Sequence, residues 1–408
     1  MDKLITNDIC VKIVQQCDPD NINVLNNNIQ IEKIHIRKFS DEQKGFMGEH
    51  FHLEIFTNDK KSYTFFIKSK PISLPSFEAY VNELGIFKKE IKIFETLLET
   101  LRKFSVTRAW CPKSYYIFEN DGIIMENLMR KGYKTLNHRE YFTYNQLKSF
   151  IKTLAAFHST SIIYEELTRK NTNMKNFKLS DKYAHFLDES AYHNEQTHVR
   201  SKWLISNTEA FLTCAKDLKI IKPEYEQQIR NLLMDLPDRM KSARKYREVM
   251  NHGDLWCNNM MFCGDEKDAN NLKCLFVDFQ FCRYSSPAQD LMLTLYTTTN
   301  REFRTKYYEH FVNMYYDALT TELKMYSLNI NELYSKNDYL QSCKEYQKIG
   351  ILEATLFTML VFFRPEDIDH MYLNESDFWK FNLDTLEEIV RKYEKKWKGK
   401  WYRLTENY

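Results

Sequence analysis

Val249-Met250-Asn251-His252-Gly253-Asp254-Leu255-Trp256-Cys257-Asn258-Asn259-Met260-Met261-Phe262 is the stretch on which the reading of this chain turns. Asp254 and Asn259 stand five apart in a loop that runs into an apolar strand. Asp278 follows inside a second apolar run, Leu275-Phe276-Val277-Asp278-Phe279-Gln280. A hairpin from Asn259–Phe262 and Leu272–Val277, turning through Gly264-Asp265-Glu266-Lys267, brings Asn259 and Asp278 together. Their oxygens suit Mg²⁺, which takes few ligands from protein and the rest from phosphate and water. Asp254 is then the group that holds an acceptor hydroxyl and receives its proton. It need not be strongly basic, because the phosphoryl-transfer transition state is loose. His252 reads as a loop anchor through a ring-nitrogen hydrogen bond, and Trp256 as loop packing. Asn258 is the rival of Asn259 for the metal, with the five-residue spacing favouring Asn259.

The upstream half supplies matching parts. Ile31–Ile36, Phe51–Phe56 and Tyr63–Lys68 are β-like runs, the last two joined by a turn at Asp59-Lys60-Lys61. Lys68 shares a strand face with Phe66 and Thr64, and an ammonium in a partly apolar setting needs anions. ATP phosphates and Glu90 are the candidates, with Glu83 the weaker rival of Glu90. Glu90 lies in a helical stretch over about 83–103, beside the stripe Phe87, Ile91, Phe94. Gly45 and Gly48 flank a turn whose amides can approach phosphates, in a chain with only 9 glycines. Strands at 114–118 and 122–125 lead to Met125-Glu126-Asn127-Leu128, a connector whose backbone can meet adenine. Glu126 and Leu128 are the residues assigned there.

Beyond it the chain reads as helical. One apolar face runs Leu147, Phe150, Ile151, Leu154, Ala155 and His158, with His158 a satisfied core residue. Residues 165–200 give no clear pattern. Helices are expected at 201–216, 223–236, 288–297, 301–320, 340–362 and 383–396. Asp290, in the first turn after Ser286-Pro287, suits the helix dipole and can hold the catalytic loop from below. The expected organisation is a β-rich front, 1–126, and a helical rear, 127–408.

Composition sets the outer bounds. The chain has 408 residues, 43% apolar and 28% charged, enough for two lobes of an ordinary globular protein. A net charge of +2 gives no field for nucleic acid. No apolar run reaches the length of a membrane span, and the start lacks a secretory pattern. The 9 cysteines include no CxxC pair, so neither disulfides nor zinc are expected and the compartment reads as reducing, hence cytoplasmic. The expected state is a monomer.

The segments His252-Gly253-Asp254-Leu255-Trp256-Cys257-Asn258-Asn259 and Val277-Asp278-Phe279-Gln280 resemble the ecdysteroid kinase-like family, also called CHK kinase-like or juvenile-hormone-inducible. Leu154-Ala155-Ala156-Phe157-His158 and Ser286-Pro287 with Asp290-Leu291 support it. The tryptophan after His-Gly-Asp-Leu and the Asp-Phe-Gln ending mark this branch, whereas protein kinases carry glycine after Asp-Phe. The resemblance implies an α+β, bilobal protein-kinase-like fold of the aminoglycoside and choline kinase type, with ATP in the interlobe cleft. It implies Asp254 as catalytic base, Asn259 and Asp278 as Mg²⁺ ligands, and Lys68 with Glu90 as the phosphate-binding pair. The implied reaction is phosphorylation of a small-molecule alcohol, such as an ecdysteroid or another steroid or xenobiotic alcohol. The alternative is a non-catalytic nucleotide- or ligand-binding protein on the same fold. It would be favoured by loss of Asp254, Asn259, Asp278 or Lys68, and all four are present.

Overall fold

The structure, a computed structural model, describes residues 4–19, 29–39, 48–71, 75–119, 121–137, 140–217, 219–241, 245–268 and 270–361. Gly45 and the helix expected at 383–396 lie outside them. The chain divides into two compact units, one of residues 1–96 and 111–134, the other of 97–110 and 135–408.

The first unit is built on a five-stranded antiparallel sheet. Its strands are β1 (Ile31–Lys38), β2 (Glu49–Thr57), β3 (Ser62–Ser69), β4 (Ser114–Phe118) and β5 (Gly122–Glu126), in the order β1-β2-β3-β5-β4. Side-chain alternation decides which face is covered. Leu53 and Ile55 of β2 and Phe65 and Ile67 of β3 are buried, and pack with Ile5, Cys10, Ile13 and Val14 of the N-terminal segment. The helix α1 (Asn7–Cys17) starts at Thr6, whose hydroxyl accepts the Ile9 N–H at 3.4 Å. Each such apolar side chain contributes about 1.5–3 kcal/mol by leaving water. Phe66 and Lys68 therefore fall on the opposite face, across from His52 and His50.

The helix expected over 83–103 is interrupted. It begins earlier, as α2 (Pro75–Leu84), and breaks at Gly85, whose φ of 64° is left-handed. It resumes as α3 (Ile86–Lys92), passes through a π-helical stretch at Ile93–Leu98, and ends in α4 (Glu99–Arg102). The apolar stripe is readable in the sequence; a one-residue left-handed break by glycine leaves little trace in it.

The second unit centres on α5 (Tyr144–Asn171), started by a capping box between Thr143 and Gln146. It is followed by α6 (Leu179–Leu187), α7 (Val199–Asp217) and α8 (Glu226–Met234). Two short strand pairs come next. β6 (Val249–Asn251) pairs with β9 (Arg283–Ser285), and β7 (Met260–Cys263) with β8 (Lys273–Phe276), both antiparallel. Then come α9 (Ala288–Thr298), α10 (Arg301–Lys324) and α11 (Lys336–Val361). No described helix is long and apolar enough to cross a membrane.

Polar residues 165–171, which show no pattern in sequence, continue α5 because they have tertiary partners. The buried Glu165 accepts the Leu179 N–H at 2.8 Å and the Tyr284 hydroxyl at 2.6 Å, and pairs with Arg247 at 2.7 Å. Such a charge is tolerated inside only because it is paired and hydrogen-bonded.

Candidate active site

The catalytic-looking loop hangs between β6 and β7. The Asp290 carboxylate, in the first turn of α9, accepts the N–H of His252 at 2.7 Å and of Gly253 at 2.9 Å. Burial opposes its charge, but the hydrogen bonds from His158 and the Gly253 amide outweigh it and hold the carboxyl below its usual range. His158 donates from Nε2 to Asp290 at 3.3 Å and accepts the Tyr315 hydroxyl at Nδ1, 2.7 Å away. Burial holds this imidazole neutral. It is thus a satisfied core residue that also braces the loop. His252 Nε2 faces the Val277 carbonyl at 3.0 Å, which requires the proton on that nitrogen and ties the loop to the end of β8.

Asn259 is fixed by Asp254. Its amide nitrogen donates to the Asp254 backbone carbonyl and to Oδ2, each at 2.8 Å. Two acceptors on one side settle the amide orientation, so Oδ1 faces away from Asp254. The hairpin register puts Met260 opposite Phe276, and the Val277 N–H donates to the Asn259 carbonyl at 3.0 Å. Asp278, one residue on, has a left-handed φ of 69°, a conformation aspartate tolerates better than most residues. Asp254 itself is half-buried. Burial, and next the charge of Asp278, pushes its carboxyl well above the usual range, against the Asn259 hydrogen bond and the charges of Arg283 and Arg200.

In the first unit, Lys68 Nζ pairs with Glu90 Oε2 at 2.6 Å, and both side chains are almost wholly buried. Glu83 is exposed. Replacing Lys68 by methionine would leave the Glu90 carboxylate buried without its ammonium partner. Lys68→Met is expected to cost about 3–5 kcal/mol, measured by denaturant unfolding, with Lys68→Met/Glu90→Leu recovering most of it. Gly48 approaches the β3 end closely: a Cβ there would sit 3.1 Å from the Ser69 carbonyl and 3.4 Å from Lys68 Cε.

At the connector, the Glu126 N–H donates to the Lys113 carbonyl at 2.9 Å and its side chain pairs with Lys131. The Leu128 carbonyl accepts the Tyr133 N–H at 3.0 Å. Both residues thus spend part of their hydrogen-bonding capacity within their own unit. On the Lys68 face of the sheet, Phe39 stacks on His52 at 4.7 Å and meets Phe66 edge-on at 5.4 Å.

One group of residues beside the loop carries no sequence motif and emerges only in the fold. Arg283 of β9 donates to the Gly253 carbonyl at 3.0 Å and pairs with Glu189 at 2.9 Å. Arg200 lies over the rings of Trp203 and Phe281, at 4.3 and 5.3 Å. Glu353 of α11 is 1% exposed. Burial pushes its carboxyl up to about 8, opposed by Arg283 and a hydrogen bond from Tyr192 and reinforced by Glu189 and Asp290. One signal is present in the chain: Glu353 is the lone ionisable side chain between Lys348 and Arg364. Between about pH 4.5 and 8 the unfolded chain ionises here while the folded chain keeps the proton, so this group lowers stability as pH rises. Relative to the parent, Glu353→Gln is expected to gain up to about 4 kcal/mol between pH 5 and pH 8, read from urea midpoints at the two pH values.

The ecdysteroid kinase-like family model matches residues 44–328, which include Lys68, Glu90, the loop and the hairpin. The chain belongs to the ecdysteroid kinase-like family. This family member has the bilobal kinase-like fold, with a β-rich first lobe and a helical second lobe. No curated protein matches it significantly by sequence. Solved structures to which the chain is similar include Plasmodium vivax ethanolamine kinase, 14% identical over 94% of this chain and 87% of that one, at a TM-score of 0.44. The GDP complex of an aminoglycoside 2'-phosphotransferase is 12% identical over 99% and 100%, at 0.42. A macrolide 2'-phosphotransferase from Brachybacterium faecium is 11% identical over 88% and 98%, at 0.38.

Proposed function

We propose that this family member is an ATP-dependent phosphotransferase that moves the terminal phosphoryl group to a hydroxyl of a small molecule. Steroid alcohols such as ecdysteroids, and xenobiotic alcohols, form the acceptor class that the family suggests. The observation that carries the reading is the built loop. Asp290 accepts the successive backbone N–H groups of His252 and Gly253, and Asn259 holds Asp254 by its side chain and its carbonyl.

In this reading Asp254 orients the acceptor hydroxyl and accepts its proton as the oxygen bonds to phosphorus and the bond from phosphorus to the bridging oxygen breaks, releasing ADP. Lys68, held by Glu90, binds phosphate oxygens of the donor. The donor set at Asn259 Oδ1 and the Asp278 carboxylate fits Mg²⁺: both are hard oxygens, and the remaining ligands would come from phosphate and water. When bound, the ion supplies positive charge that offsets the negative charge on the transferring group and on Asp278.

Asp278→Ala removes the anionic member of that pair. It is expected to weaken Mg-ATP binding roughly a hundredfold, about 3 kcal/mol, measured by calorimetry; unchanged affinity would remove Asp278 from the metal site. The reaction itself is tested by incubating the protein and ATP with steroid alcohols, plant phenolics and glycosides, and looking for a mass gain of one phosphate.

A further inference from the structure

Val106 and Met325 are among the large apolar side chains that the fold leaves in water, at 53% and 58% exposure. Two ties in the second unit bring them to one place. The Thr107 hydroxyl bonds the Glu322 carboxylate, and the Phe104 ring meets Tyr326 at 6.3 Å between centroids. Residues 104–107 therefore lie along residues 322–326, where α10 ends, and Val106 and Met325 fall between the two ties. Phe104 also meets Tyr164, 5.7 Å away, and these half-buried rings extend the apolar surface. The Ser105 hydroxyl closes the turn by donating to the Arg108 carbonyl at 2.6 Å.

The same segment carries positive charge. Residues 103–110 include Lys103 and Arg108 and no acid, and α5 includes Lys148 and Lys152 and no acid before Glu165. Both stretches are anchored on β8. The Trp110 carbonyl accepts the Phe276 N–H at 2.8 Å, and the hydroxyls of Ser149 and Thr153 donate to the Leu272 and Cys274 carbonyls at 2.7 and 3.1 Å. Lys148 and Lys152 each precede one of these anchors and stand one helical turn apart, on one face. Arg108, Lys148 and Lys152 are half-buried, while Lys103 and Lys324 are exposed. Burial, and next the charges of Lys148 and Arg108, hold the Lys152 ammonium below its usual range; no carboxylate among the described residues offsets them. Glu322 acts on Arg108, but it is buried and already bonded to Thr107.

We infer that this face of the second unit docks on an anionic lipid bilayer: Val106 and Met325 enter the headgroup layer, and Lys148, Lys152 and Arg108 pair with the anionic headgroups around them.

The chemistry favours a bilayer over other occupants. The cations are mostly lysines, which protein interfaces exclude from their cores. A second copy of this chain would set like charges against each other. A nucleic acid backbone would leave Val106 and Met325 in water. Residues 391–403 hold seven Lys or Arg and one Glu, so they do not supply the missing negative charge either. An anionic bilayer answers both features, because its surface potential draws lysines and its interface takes up apolar side chains.

The test is co-sedimentation of the full chain, without ATP, with vesicles of phosphatidylcholine alone or with a third of it replaced by phosphatidylserine. Wild type is expected to bind the mixed vesicles, not the neutral ones, and to release them as salt rises. Lys148→Gln/Lys152→Gln is expected to weaken binding roughly twentyfold, and Val106→Ser/Met325→Ser roughly tenfold. Unfolding midpoints check that both variants fold. If either does not, Lys103→Gln/Lys324→Gln, at exposed positions, takes its place with a loss of roughly twentyfold expected. No binding by wild type, equal binding to neutral vesicles, or variants that bind as wild type does would each overturn the proposal. Loss in the lysine variant alone would also overturn it, since that describes a site for soluble anions. So would a lipid-free dimer that the variants abolish. Lipid binding is read without ATP or acceptor, so its outcome is separate from that of the phosphotransferase reading.

Discussion

Gly253→Ala is expected to lower turnover sharply and to destabilise the second unit by about 2–4 kcal/mol, the range of substitutions that force strain and a clash at a special backbone position. Gly253 has φ of 80°, and a Cβ built there would lie 2.2 Å from the Phe281 carbonyl and 2.9 Å from Arg283 Nε. Left-handed backbone alone costs a non-glycine residue about 1–2 kcal/mol. The remaining cost comes from pushing β9 away from the loop, which also breaks the bond from Arg283 to the Gly253 carbonyl. A displacement of that size next to Asp254 is expected to lower kcat by roughly a hundredfold or more. Gly85→Ala is the matched control. Gly85 is also left-handed, with φ of 64°, but a Cβ there meets nothing within 4 Å, so the loss is expected to stay near about 1 kcal/mol. Denaturant unfolding of the two variants side by side checks both values. Equal losses would mean that the loop and β9 are not packed as described.

Much of this arrangement is legible in the amino-acid sequence itself. The hairpin register follows from two apolar runs and a Gly-Asp turn, and β3 places Lys68 and Phe66 on one face by simple alternation. Helices with strong apolar stripes, such as α5 and α11, are legible for the same reason. What the sequence does not disclose has physical causes. The extension of α5 through residue 171 depends on Glu165 finding Arg247 and Tyr284 far along the chain, and local pattern carries no record of that. The break at Gly85 is one residue wide.

The candidate site is legible where its proposed members share a short segment. Asp254, Asn259 and Asp278 stand close in sequence, and the structure draws Asn259 onto Asp254. Glu189, Arg200, Arg283 and Glu353 are not legible as a group, because more than sixty residues separate Arg283 from each of the others. Only the isolation of Glu353 within an apolar helix hints at its burial.

Asp254 carries the largest functional expectation. Asp254→Asn keeps the size of the side chain and removes the carboxylate proposed as the base, so turnover is expected to fall about a thousandfold, within the range that positioned general bases contribute. Nucleotide binding should persist, because the Lys68–Glu90 pair and the Asn259 and Asp278 oxygens remain. Substituting a neutral amide also removes repulsion toward Asp278, so the fold should hold. The most direct measurement is therefore phosphate transfer from ATP to the best acceptor of the panel, run with wild type and Asp254→Asn alongside calorimetric Mg-ATP binding. If Asp254 is the base, wild type transfers phosphate, Asp254→Asn loses nearly all transfer, and both bind Mg-ATP within a few-fold of each other. Undiminished transfer by Asp254→Asn would contradict that role.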